Sequence, residues 1–119
     1  MNTRDIGLNG EERATAWLIE NGSRIILRNF RKRAFEIDII AIDKDNVLRF
    51  TEVKNIVKGN VPDAVFSVEN RNILRYLSAV DCFLSEHPQY RSYKMCMDLI
   101  IVCSNQITRY ENITSCLVV

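Results

Sequence analysis

Two acidic residues and a lysine lie on two consecutive β-branched segments of the chain. Asp38 lies within residues 35–43, and Glu52 and Lys54 lie within residues 47–54. The turn-favouring residues at 44–46 separate the two segments, so we predict a β-hairpin. Because side chains alternate between the faces of a strand, the two acids and the lysine share one face of this hairpin. The spacing therefore predicts that two carboxylates and one ammonium group lie close together.

The length of the turn sets the register of the hairpin. A turn of three residues at 44–46 matches apolar residues with apolar residues, whereas a two-residue turn loses that match and is rejected. The accepted register pairs four positions of each strand: Ile42 with Leu48, Ile40 with Phe50, Asp38 with Glu52, and Glu36 with Lys54.

Asp38 opposite Glu52 places two negative charges side by side, which destabilises a sheet. A divalent cation would remove this repulsion, and Mg²⁺ takes carboxylate and phosphate oxygens as ligands. Lys54 would then orient or help to deprotonate an attacking water and stabilise charge on a phosphorane. The pattern predicts phosphodiester hydrolysis with Asp38 and Glu52 as ligands of Mg²⁺, which Mn²⁺ is expected to replace. A plainer interpretation stays open, in which Glu36 and Lys54 form an ion pair and the other two acids lie at a solvated sheet edge.

Helical and extended patterns alternate along the chain and position these residues. A capping pattern and apolar spacing predict a first helix over 10–21, followed by a strand from about residue 23 to 29 and a basic loop. Ile73, Leu77, Val80 and Leu84 recur at helical spacing within a predicted second helix over 68–87. Residues 95–104 predict another strand, and 106–119 allow one or two more. The order is αβββαβ plus short C-terminal strands, an α/β class with a mixed sheet.

Basic residues flank the hairpin and are candidates for contacts with phosphate groups. The nucleic-acid-binding candidates are Arg28, Arg31, Lys32 and Arg33 before the hairpin, with Arg71 and Arg75 after it. An ordinary solvated run of charges is the alternative. No recognition helix with base-reading residues is evident, so we expect discrimination by DNA shape or strandedness rather than by sequence.

Length and composition restrict the class of protein. The 119 residues, 47% hydrophobic and 26% charged, predict a single globular domain over 1–119. The sequence contains no membrane-spanning stretch and no signal-peptide pattern, so we expect a cytoplasmic protein without a membrane partner. The four cysteines lack zinc-site spacing and are expected to be reduced, buried thiols. The net charge of +1 leaves a polyanionic partner open.

Four segments in order resemble the YraN-type family of predicted endonucleases. That family carries GxxGE, IL-x-N-x-R, GEIDLIA and VEVK, and the corresponding segments here are GLNGE at 7–11, ILRNFR at 26–31, FEIDIIA at 35–41 and TEVK at 51–54. The resemblance extends from about residue 7 to residue 102. Two departures are Phe35, where the family has glycine, and Asn55-Ile56, where Thr-Arg often follows the lysine.

The resemblance implies a fold and a site. The family belongs to the PD-(D/E)xK, restriction-endonuclease-like superfamily and is similar in architecture to Holliday-junction resolvases, which implies a three-layer core with a mixed central sheet. It also implies a metal site at Asp38, Glu52 and Lys54, with Glu11 as an acid supplied by the first helix. From the residues alone, Glu11 is an ordinary acid in the first turn of a helix, favoured there by the helix dipole.

Two classes of function remain. One is a metal-dependent endonuclease acting on DNA, with structured or branched DNA as one candidate substrate and Glu11, Asp38, Glu52 and Lys54 as catalytic residues. The alternative is a non-catalytic nucleic-acid-binding or assembly module that retains the nuclease fold. No phosphate-binding glycine loop or cofactor motif favours a small-molecule enzyme. A homodimer is compatible with the sequence but is not indicated by it.

Overall fold

A computed structural model describes residues 3–33, 35–56, 73–104 and 106–111. Two α-helices lie in these ranges: α1 spans Thr3–Glu20 and α2 spans Ile73–Glu86. A short 3-10 helix, Pro88–Tyr90, follows α2. The five strands are β1 Arg24–Lys32, β2 Phe35–Ile42, β3 Val47–Ile56, β4 Lys94–Cys103 and β5 Gln106–Tyr110. Neither helix is both long and apolar enough to cross a lipid bilayer within the described ranges.

The five strands form one mixed sheet in the order β1-β2-β3-β4-β5. β3 and β4 are parallel, and each of the other neighbouring pairs is antiparallel. A parallel pair needs a crossover connection, and α2 lies in the connection between β3 and β4. The predicted order of helix, three strands, helix and strand is confirmed, with β5 as the additional C-terminal strand.

Among the described residues, α1 covers one face of the sheet and α2 covers the other, which gives three layers. Ala14 and Leu18 of α1 pack against one face together with Ile39, Ala41, Ile100 and Val102. Tyr76, Ala79 and Phe83 of α2 pack against the other face in a larger cluster. The predicted three-layer core is therefore confirmed. Gly22, at φ 92°, ends α1 in a left-handed conformation that suits glycine and turns the chain into β1.

The β2–β3 hairpin has the predicted three-residue turn. The carboxylate of Asp43 accepts hydrogen bonds from the backbone N–H groups of Asp45 and Val47, at 2.8 and 3.0 Å, and so fixes the turn. Ile42 lies opposite Leu48 and Ile40 opposite Phe50, as the apolar match predicts. The described β2–β3 ladder stops at Ile39 and Thr51. The predicted continuation, Asp38 opposite Glu52 and Glu36 opposite Lys54, is wrong as a description of this ladder, because the Asp38 side chain interrupts it.

Two element boundaries differ from the predicted ones, and a third falls outside the described residues. α1 starts at Thr3 rather than near residue 10, and β1 runs on to Lys32, so that Arg31 and Lys32 lie in a strand rather than a loop. The start predicted for the second helix, residues 68–72, lies outside the described residues. Cys82, Cys96 and Cys103 are free thiols, half-buried rather than fully buried.

The buried face of α2 is rotated from the predicted one. The repeat of aliphatic residues placed Leu77 in the core, but its exposed fraction is 39%. Phe83 occupies the core instead and packs edge-to-face against Phe30 and Phe50, with ring centroids 5.6 and 5.7 Å apart. An aromatic ring buries more apolar area than a leucine side chain, so the aromatic positions decide the orientation of the helix.

A candidate metal centre

The alternation of side chains between the two faces of β2 is interrupted at Asp38. Ile39 packs in the α1 layer, whereas Ile37, two residues earlier, packs in the α2 layer. In a regular strand these two side chains would share a face. On the neighbouring strand, Asn29 has a φ of 55°, and the β1–β2 pairing passes from Arg28–Ile39 directly to the pair formed by Phe30 and Ile37. The sheet is thus irregular at the position where the sequence places its central acid.

The Asp38 carboxylate occupies the place where the β2–β3 ladder ends. Its Oδ2 accepts a hydrogen bond from the backbone N–H of Val53 at 2.7 Å. Burial raises the pKa of Asp38 to about 7, the Val53 bond opposes that rise, and the nearby Glu11, Glu36 and Glu52 add to it. Asp38 is therefore a half-buried carboxyl group with other carboxylates close by.

Glu11, Glu36 and Asp38 form a cluster of three carboxylates, whose oxygens lie within 4.8 Å of one another. α1 brings Glu11 to this place because Gly10 allows a close approach: a Cβ at Gly10 would lie 2.9 Å from the Cβ of Asn55 on β3. Burial raises the pKa of Glu11, and the charge of Arg28 opposes that rise. Three acids from two elements thus point at one small volume.

Asn29 lies between two of these acids. With its amide nitrogen facing them, Nδ2 donates to Oε1 of Glu11 and to Oε1 of Glu36, each at 3.1 Å. Sequence reasoning did not include Asn29 and Glu36 among the site residues. The signal for Asn29 was its place in the segment ILRNFR. The signal for Glu36 was its position two residues before Asp38.

Glu52 and Lys54 lie side by side on β3. The Nζ of Lys54 is 3.5 Å from Oε1 of Glu52. The other oxygen of Glu52, Oε2, is buried without a hydrogen-bond partner among the described residues. The Tyr76 hydroxyl of α2 is also buried without one, and burial raises its pKa well above the ordinary value, with the charges of Asp38 and Glu52 adding to the rise. Tyr76 is therefore a neutral phenol.

The structure brings most of the predicted site residues together, in a different grouping. The predicted metal pair was Asp38 and Glu52, whereas the three-carboxylate cluster consists of Glu11, Glu36 and Asp38. Glu52 lies near enough to act on the pKa of Asp38. All donors are carboxylate oxygens, which suit a hard divalent cation, and the buried, unpaired Oε2 of Glu52 is an oxygen that such an ion would satisfy. The residues present therefore fit Mg²⁺ or Mn²⁺.

The predicted phosphate-binding residues divide into two groups. Arg28 is paired with Glu12 at 2.9 Å, and Lys32 with Glu86 at 2.7 Å. Arg31 is 70% exposed while its Nε lies 3.2 Å from Glu36, and Arg33 is exposed. Arg75 is exposed on α2, and Arg71 lies outside the described residues. Arg28 and Lys32 are therefore engaged in ion pairs, whereas Arg33 and Arg75 are exposed.

Comparison with known proteins finds a matching family and relatives that carry the name of that family. The pattern of the family described as "Uncharacterised protein family UPF0102" matches residues 10–102. A UPF0102 protein of Helicobacter hepaticus is 36% identical over 116 residues, covering 98% of this chain and 100% of that protein. UPF0102 protein RPA0323 of Rhodopseudomonas palustris is 36% identical over 104 residues, covering 87% of this chain and 78% of that protein. Among solved structures, a repair endonuclease from Pyrococcus abyssi aligns with 98% of this chain at 17% identity and a TM-score of 0.46, and the alignment covers 43% of that structure.

Proposed function

We propose that this chain, which belongs to the uncharacterised protein family UPF0102, is a metal-dependent endonuclease that hydrolyses phosphodiester bonds in DNA. The observation that carries the proposal is the convergence of Glu11, Glu36 and Asp38 within 4.8 Å, at the point where β2 leaves the ladder with β3. Clustered like charges destabilise the fold. A bound divalent cation offsets this repulsion and takes carboxylate oxygens as its ligands. The acid–lysine pair beside the cluster supplies the remaining chemical groups.

The ion would be held by the cluster of Glu11, Glu36 and Asp38. Glu52 lies close to Asp38, and its Oε2, buried without a partner among the described residues, would be a further ligand. When bound, Mg²⁺ or Mn²⁺ supplies a Lewis acid that polarises the scissile phosphate. Asn29 holds the carboxylates of Glu11 and Glu36 in place through its two donated hydrogen bonds. The Val53 N–H does the same for Asp38 and keeps one oxygen of that carboxylate turned toward β3.

Lys54 acts on the substrate. The Lys54 side chain is 41% exposed, and its ammonium group lies 3.5 Å from Oε1 of Glu52. The ammonium group can therefore contact a phosphate that lies at the cluster. There it orients the attacking water and stabilises the negative charge that grows on the phosphoryl oxygens. Arg31 and Arg33, both exposed at the edge of the same site, neutralise the flanking phosphates of the strand.

A cleavage assay tests the proposal. The full chain is incubated with single-stranded, duplex and branched DNA, with Mg²⁺, with Mn²⁺ and with a chelator. We expect metal-dependent cleavage of at least one substrate, with no cleavage in the chelator. Metal binding and DNA binding without any cleavage would overturn the nuclease proposal in favour of a non-catalytic nucleic-acid-binding module.

A further inference from the structure

We infer that the connection between β1 and β2, which lies beside the carboxylates, binds an unpaired DNA strand, and that Phe35 is a surface on which a base stacks. The hairpin tip is defined here as the connection and strand ends between β1 and β2, formed by Arg31, Lys32, Arg33, Phe35 and Glu36. The inference deepens the proposed function and rests on it for the identity of the polymer.

The hairpin tip forms a shallow, open groove of about 340 Å³ lined by its five residues. One of these, Glu36, is also a member of the carboxylate cluster. The groove and the candidate metal centre are therefore continuous. On the proposed function, a strand with one phosphodiester at the carboxylates can place its neighbouring nucleotides in this groove.

The cations of the groove are of two kinds. Lys32 is held against the protein, because its Nζ lies 2.7 Å from Glu86 and 5.3 Å from the centroid of the Phe30 ring. Arg33 is exposed and forms no ion pair with any residue that the structure describes. The exposed guanidinium of Arg31 forms an ion pair with Glu36, whose carboxylate lies 3.2 Å away. Arg31 and Arg33 are thus the two groups able to bind phosphates here.

Phe35 gives the groove an aromatic surface between these cations. The ring is half-buried and packs against the core of the α2 layer, so it is fixed before any ligand arrives. Lys32, its partner across the ladder, is drawn toward Glu86 and Phe30.

A half-buried aromatic ring that lines a groove beside phosphate-binding arginines favours an unpaired strand. In a duplex, both faces of each base are covered by its neighbours, whereas a single-stranded base can stack on a protein ring whatever its sequence. The arginines attract any nucleic acid, and the ring adds affinity only where a base is free. The combination predicts selectivity by strandedness.

The test is a binding experiment in the presence of a chelator, so that cleavage plays no part. Fluorescence anisotropy measures the affinity of the full chain for an unpaired oligodeoxynucleotide and for a hairpin duplex with the same number of phosphates, at about 50 mM salt. We expect tighter binding of the unpaired strand. Phe35→Leu should weaken it by about 5-fold to 100-fold and change duplex binding by less than about 2-fold. Phe35→Tyr, which keeps a ring, should retain the selectivity.

Two arginine variants provide the controls. Arg33→Ala should weaken both DNA forms to a similar degree, while Arg24→Ala, an exposed arginine at the opposite end of β1, should change neither. Thermal unfolding of each variant shows whether it is folded. Equal affinity for both DNA forms, or equal loss of both in a folded Phe35→Leu protein, would overturn the inference. Selective binding without cleavage in the assay with metal would overturn only the proposed nuclease activity.

Discussion

At the scale of single residues, Asp38 has an environment that controls how stability depends on pH. Burial raises its pKa to about 7, so the metal-free native protein holds a proton there that the unfolded chain, with an ordinary pKa near 3.8, releases at lower pH. A native state that binds more protons loses stability as the pH rises. Metal-free protein should therefore become less stable from about pH 4 to about pH 7, by about 1.4 kcal/mol for each pKa unit of difference.

Urea denaturation with a chelator present, at several pH values across that window, checks this expectation. Asp38→Asn removes the titrating group and should flatten the curve, whereas Asp81→Asn, an exposed acid on α2, should leave it unchanged. Parallel curves for wild type and Asp38→Asn would show that the pH dependence has another origin.

Binding of a divalent metal should offset the destabilisation of the native state that the clustered acids cause. An ion that binds only the native state at a concentration 100-fold above its Kd stabilises it by about 2.7 kcal/mol, and we expect the Tm to rise by several degrees with Mn²⁺ or Mg²⁺. Asp38→Asn should abolish most of that rise, and Glu20→Gln, an exposed acid at the end of α1, should keep it. An unchanged Tm of wild type at millimolar metal would count against the site.

Lys54 should affect catalysis far more than folding. Because the ammonium group lies beside the carboxylates and is partly exposed, Lys54→Ala should lower the cleavage rate by about 100-fold or more with little change in Tm. Lys94→Ala, an exposed lysine at the start of β4, is the matched control and should cleave at the wild-type rate. Full activity in Lys54→Ala would exclude the role given to this lysine.

At the scale of elements, local patterns predicted what each segment forms and missed how the segments end. The apolar match of the hairpin and its three-residue turn were sufficient to fix Ile42 opposite Leu48. The same rule failed four residues further along, because the Asp38 carboxylate bonds the Val53 N–H and breaks the ladder. Alternation assumes that only backbone groups form the ladder, and a side-chain acceptor at its end violates that assumption.

The hydroxyl group of Tyr76 on α2 allows the packing of this helix to be tested. The Tyr76 hydroxyl is buried without a hydrogen-bond partner among the described residues, so its removal costs no bond within them. A buried, unsatisfied polar group is unfavourable, and Tyr76→Phe should leave the free energy of unfolding unchanged or raise it by up to about 1 kcal/mol. Chemical denaturation measures the difference, with Tyr93→Phe as a half-exposed control. A loss of more than about 1 kcal/mol would mean that the hydroxyl has a bond that stabilises the fold.

At the scale of the whole molecule, the candidate centre depends on elements that the sequence keeps far apart. Glu11 comes from α1, Asn29 from β1, Glu36 and Asp38 from β2, and Glu52 and Lys54 from β3. Hydrophobic periodicity predicts each element, but it does not state which helix face meets which strand. Glu11 entered the predicted site only through the resemblance, because nothing in its local pattern distinguishes it from an ordinary acid in a helix.

Arg49 joins several parts of the sheet, and its loss should destabilise the whole molecule. Its guanidinium lies 2.8 Å from Asp43 at the hairpin turn, 2.8 Å from Asp98 on β4 and 3.0 Å from Glu111 after β5. Asp98 is fully buried, so Arg49→Met would leave a buried carboxylate without its guanidinium. Breaking a buried ion pair in this way costs about 3–5 kcal/mol, because the remaining charge keeps its desolvation penalty.

Chemical denaturation of Arg49→Met against wild type measures that loss, and Arg91→Met, an exposed arginine after the 3-10 helix, serves as the matched control. The double variant Arg49→Met/Asp98→Asn removes the buried charge of Asp98 as well and should recover part of the stability. The recovery distinguishes a charge effect from the loss of the arginine's packing, since repacking alone would not respond to Asp98→Asn. A single variant that loses less than about 1 kcal/mol would show that the network contributes no more than an exposed ion pair does.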